Sequence, residues 1–117
     1  MENNLPLVVA CSGGKPEGNL AALIARRLQA LGLARMVSFA GLCSNVTEAS
    51  HVALASRLIV IDGCRSECAK LAMRFLGVDD CDCFDLIQAG IIEPGGVPTE
   101  AHIVKGVAHV RQLLDAG

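Results

Sequence analysis

The sequence predicts a single three-layer α/β/α domain over residues 1–117, built on a four-stranded parallel sheet of order 2-1-3-4. Short apolar runs alternate with stretches of helical periodicity, and strands joined through helices make right-handed crossovers and a parallel sheet. The run Leu58-Ile59-Val60-Ile61 is apolar without a break, as in a central strand covered on both faces. The chain is 52% hydrophobic yet has three Phe and neither Trp nor Tyr, so its core must be aliphatic. A length of 117 residues suits one such domain.

The elements follow in order. Residues 5–11 form the first strand, ended by the turn signal Ser12-Gly13-Gly14. Leu20, Leu23, Ile24, Leu28 and Leu31 recur at helical spacing, and Gly32 is a natural stop. Residues 36–40 make the second strand, followed by the loop Gly41-Leu42-Cys43-Ser44. Asn45 with Glu48 three residues on fits a helix start, giving a short helix to about Ser56. The third strand ends at Asp62, and Gly63-Cys64 turns the chain. Cys68, Leu71, Ala72 and Phe75 mark the inner face of a helix that ends at Gly77. Residues 83–87 are a weaker strand, and a Pro/Gly-rich loop leads to a Thr99-capped helix with Ile103, Val107, Val110 and Leu114 inward.

Composition excludes several classes. The net charge is −2 and no basic run is present, which argues against nucleic acid. No segment approaches the roughly 20 apolar residues of a membrane span. Met1-Glu2-Asn3-Asn4 has no positive charge, and the apolar stretch 5–10 is too short for a signal core. Val8-Val9-Ala10-Cys11 is a weak match to a lipoprotein cleavage box, lacking the basic lead. A cytoplasmic protein is expected, where thiols stay reduced. Six cysteines then point to metal or redox chemistry rather than to disulfides.

Four of those cysteines share one edge of the expected sheet. Cys11 ends the first strand, Cys43 follows the second and Cys64 the third, while Cys68 lies one helical turn beyond Cys64. An open parallel sheet binds ligands at this edge, in the crevice where the connections change direction. Four thiolates there suit tetrahedral zinc. A helix start and Arg65 beside Cys64 would help the thiolate form. Core packing is the competing reading for Cys68, which shares an apolar stripe with Leu71 and Phe75. Cys81 and Cys83 begin the fourth strand, at the opposite edge. They resemble a metal or redox pair, but their acidic neighbours work against reactivity, and they are expected not to be ligands of the main site.

Cys11-Ser12-Gly13-Gly14 with Gly18-Asn19, the Cys43 loop, and Ile61-Asp62-Gly63-Cys64 with Cys68 resemble the DGC-domain family. These are small proteins described as zinc-binding through four chelating cysteines. The resemblance covers roughly residues 7–90 and implies zinc on Cys11, Cys43, Cys64 and Cys68. The loop Cys43-Ser44-Asn45-Val46 departs from the family's usual Cys-Leu-Ala-Gly-Ile. No activity transfers with the resemblance.

An enzyme remains an open alternative, and no catalytic residue is assigned. A phosphatase loop would need Arg at position 17, where Glu17 would repel phosphate, and Gly14-Lys15 lacks the rest of a Walker loop. A thiol redox or sulfur-carrier protein (persulfide or phosphocysteine), with Cys11 or Cys64 as nucleophile, is the stronger alternative. The metal could instead be another thiophilic ion, with a structural, sensing or metal-handling role, and a protein partner is left open. His51 could replace a ligand or support one near Cys43, whereas His102 and His109 are expected to be structural or solvent-facing rather than ligands. Asp62, at the end of a buried strand, should accept hydrogen bonds from loop N–H groups.

Overall fold

The computed structural model describes residues 5–10, 16–38, 57–63, 68–75 and 81–116, with the backbone alone at 16–18, 38, 68, 72 and 75. Within them lie strands β1 (Leu7–Ala10), β2 (Arg35–Ser38), β3 (Leu58–Asp62) and β4 (Asp82–Asp85). The described helices are α1 (Pro16–Ala30), α2 (Cys68–Phe75) and α3 (Glu100–Ala116). All strand pairs are parallel and the order is β2-β1-β3-β4, as the sequence predicts. The expected helix over 45–56 and the turns at 12–14 and 41–44 lie outside the described residues.

The central strands are buried throughout, and their side chains divide alternately between two cores. Val8, Ala10, Ile59 and Ile61 face α1 and α3, meeting Leu20, Ile24, Leu28, Ile103, Val107 and Val110. Leu7, Val9, Leu58 and Val60 face the other way, onto Ala69 and Met73 of α2. The two cores make the three layers. Where α1 crosses α3 the helices come so close that a Cβ on Gly106 would run into Ile24 Cδ1, so glycine is the residue that fits.

Local signals set the ends of these elements. Gly32, at φ +73°, closes α1, with Leu33 N–H donating to Leu28 O at 2.9 Å and Gly32 N–H to Gln29 O at 3.0 Å. This is a Schellman stop, and it leaves Leu31 outside the helix and 55% exposed rather than in the core stripe. Gln29 Oε1 accepts the N–H of Met36 at 2.8 Å, satisfying a donor on strand β2. Thr99 caps α3 in a reciprocal box. Its Oγ1 accepts the His102 N–H at 3.3 Å, and His102 Nδ1 accepts the Thr99 N–H at 3.0 Å. Arg27 of α1 holds Glu100 in a fork at 2.7 and 2.9 Å, which draws the Glu100 carboxyl below its ordinary pKa.

Two expectations are corrected. Among the described side chains of α2 the inward ones are Ala69 and Met73, both fully buried, whereas Leu71 is 56% exposed; the side chains of Cys68, Ala72 and Phe75 lie outside the described residues. Ala69 and Met73 are one turn apart, and Leu71 falls on the far side of the helix from them. The fourth strand is Asp82–Asp85, and residues 86–90 turn instead of extending it. That turn begins at Asp85, whose Oδ1 accepts the Gln88 N–H at 2.6 Å, and closes at Gly90, φ +76°.

Candidate functional site

The parallel register brings the carboxyl ends of all four strands to one edge, at Ala10, Ser38, Asp62 and Asp85. Ala10 pairs with Ile61, so the chain leaves β1 and β3 side by side there. Cys11 follows Ala10 directly, Cys43 comes in the connection after β2, and Cys64 comes two residues after Asp62. Cys11, Cys43 and Cys64, together with Arg65 and His51, lie outside the described residues. Cys68 opens helix α2.

Asp62 organises this edge. Its side chain is 1% exposed, and a buried carboxylate must be matched by donors. Its Oδ1 accepts the Ala69 N–H at 2.8 Å and its Oδ2 accepts the Lys70 N–H at 3.1 Å. Both N–H groups belong to the first turn of α2, where no intrahelical acceptor exists and the helix dipole favours negative charge. The carboxylate therefore ties the end of β3 to the start of α2, with Cys68 at the tie. Hydrogen bonding of Asp62 to N–H groups is as expected, but the donors belong to the helix. Asp85, 2% exposed and aligned with Asp62 in the ladder, performs the same service for the turn after β4. The sequence reading missed it, although Asp85-Leu86-Ile87-Gln88 carries the spacing of a capping box.

Cys81 and Cys83 are set back from this edge. Cys83 pairs with Val60 in mid-strand, and both cysteines pack against the apolar cluster that includes Val60, Ala69 and Met73. Cys83 thus sits farther into the sheet than the opposite-edge position expected for it. The two Sγ atoms are 2.7 Å apart. Burial, then the hydrogen bond and charge interaction with Cys81, push the Cys83 thiol up to about 12. Lys70 opposes that shift, and Asp62 adds to it weakly.

The remaining candidates are structural. His102 caps α3, and the ring of His109 lies against Phe84, centroids 4.5 Å apart. A groove of about 550 Å³ lies between the connection that follows β4 and the first turns of α3, lined by Ile91, Ile92 and Lys105. Among the described residues no three His, Cys, Asp or Glu side chains cluster as a metal site would, and no helix is long and apolar enough to cross a membrane.

Comparison with curated proteins and with solved structures gives no match. The family model of the DGC domain, in contrast, matches residues 7–110. That span takes in every strand of the sheet, the Asp62-Gly63-Cys64 motif and most of α3. With the motif standing at the end of β3 and its aspartate anchoring the next helix, the chain belongs to the DGC domain family.

Proposed function

We propose that the protein holds one zinc ion on Cys11, Cys43, Cys64 and Cys68 at the carboxyl edge of the sheet. The observation that carries this reading is the tie made by Asp62. It anchors the N-terminus of α2, and with it the Cys68 backbone, at the strand end from which Cys64 follows. The pairing of Ala10 with Ile61 adds support, since Cys11 is the next residue after Ala10 in the sequence and Cys64 comes three after Ile61. The donor set suits the metal: four soft thiolates match tetrahedral zinc, and the Asp62 carboxylate is engaged with N–H groups rather than free to compete as a ligand.

Zinc on four thiolates has no open position for a substrate, so the role is structural, sensing or metal-handling rather than catalytic. Such a site needs reduced thiols, which fits a cytoplasmic protein. Elemental analysis of anaerobically purified protein, with a thiol count before and after chelation, tests the proposal. Near-stoichiometric zinc and about four thiols released by the chelator are expected. Cys64→Ser should abolish binding, whereas Cys83→Ser should leave it nearly intact. Metal-free protein with all thiols already titratable, or equal loss in both variants, would overturn it.

A further inference from the structure

We infer that Cys81 and Cys83 form a second thiol site, a dithiol that exchanges with small-molecule disulfides and closes into a disulfide of its own. The site stands apart from the four cysteines of the proposed metal centre. Three features of β4 build it. Cys81, just before β4, and Cys83, within it, flank Asp82, and both pack onto the same apolar cluster. Asp82 is held by Arg57, Nε to Oδ2 at 3.0 Å, which fixes the middle of the three residues. Both cysteines are only half-buried, Cys83 on a strand paired along one side among the described residues and Cys81 just ahead of it, so a small reagent can reach them.

The sulfur separation selects the chemistry. At 2.7 Å the two Sγ atoms are closer than two thiolates can stand on one tetrahedral zinc. With Zn–S bonds of about 2.3 Å, that separation is roughly 3.8 Å. They are nearer to the disulfide bond length of about 2.05 Å. No third ligating side chain joins them among the described residues. The pair is arranged for covalent closure rather than for a metal.

The thiols have different parts. Cys83 is held in the ladder opposite Val60, where burial pushes its thiol up, whereas Cys81 lies just outside β4, and Cys81 is the attacking thiol. As thiolate it attacks one sulfur of a low-molecular-weight disulfide such as oxidised glutathione. A mixed disulfide forms and one thiolate leaves. Cys83 then gives its proton to solvent and attacks Cys81 Sγ, expelling the second thiolate. Two cysteine thiols are oxidised by two electrons, and the reagent is reduced to two thiols.

Trypsin makes the test direct, because peptide 75–105 contains Cys81 and Cys83 and no other cysteine, and each remaining cysteine falls on a separate peptide. The full chain is equilibrated with rising ratios of oxidised to reduced glutathione, quenched in acid, alkylated and mapped by mass. Peptide 75–105 should lose two hydrogens to an internal disulfide, and regain two alkylatable thiols after reduction. In Cys83→Ser the glutathione adduct should accumulate on Cys81, and in Cys81→Ser adduct on Cys83 should form at least tenfold more slowly. The proposal is overturned if peptide 75–105 stays doubly alkylated while other cysteines oxidise, or if its cysteines pair elsewhere. Equal trapping rates in the two variants would overturn the assigned order of attack.

Discussion

Asp62 and Cys83 lie on neighbouring strands, and burial acts on each in a different way. Asp62 keeps its carboxylate in the interior because two N–H groups of α2 face it. Asp62→Ala would orphan both donors, and urea unfolding should show a loss of about 1–3 kcal/mol. Under the zinc proposal the same variant should also weaken metal binding, since Cys68 would lose the anchor of its helix. Cys83 is matched by no backbone N–H donor among the described residues, and burial favours its neutral form. Its folded pKa lies above the ordinary thiol value. The associated stability is fully present below about pH 9, and it is lost as pH rises toward about 12. Alkylation of Cys83, read on peptide 75–105, should be several-fold slower in the folded chain than in urea near pH 8. The folded rate should climb steeply with pH above that. Equal folded and unfolded rates near pH 8 would contradict the assignment.

For a helix, the decisive quantity is rotation about its own axis. Helix α2 carries apolar residues around much of its circumference, so its sequence admits more than one inward face. The grip of Asp62 on Ala69 and Lys70 fixes the first turn, and Ala69 and Met73 then meet Val9, Val60 and their neighbours. Met73→Ala should cost about 2–5 kcal/mol in chemical denaturation, the range for emptying a buried site. Leu71→Ala should fall within about 0.5 kcal/mol of the wild type. The reverse ranking would restore the inner face that periodicity alone suggests. Helices α1 and α3 show less ambiguity because each has a strong stop or cap: Gly32 ends one and Thr99 with His102 begins the other.

Across the whole molecule, Arg57 joins three elements at the edge opposite the candidate site. Its Nε donates to Asp82 at the start of β4, and its Nη1 and Nη2 donate to the carbonyls of Leu114 and Leu113 in the last turns of α3. Those carbonyls are at the negative end of the helix dipole, where a cation is favoured. Arg57→Ala should lower stability by about 1–3 kcal/mol in thermal unfolding. Arg57→Lys should recover only part of that, because an ammonium lacks the planar fork that spans three acceptors. Full recovery by lysine would mean that charge alone matters.

The sequence by itself determined the strand order, the alternation of strands and helices, the stop at Gly32 and the cap at Thr99. These depend on hydrophobic period and on partners within a few residues, both written locally in the chain. It also put Cys11, Cys43 and Cys64 after strands that end at one edge, since parallel strands share a direction. Only the tertiary structure decided which side of α2 is inward, how deeply Cys83 is set, and that Arg57 reaches residues 25, 56 and 57 positions away. Crossover connections bring those partners together, and the burial they create is a property of the assembled layers.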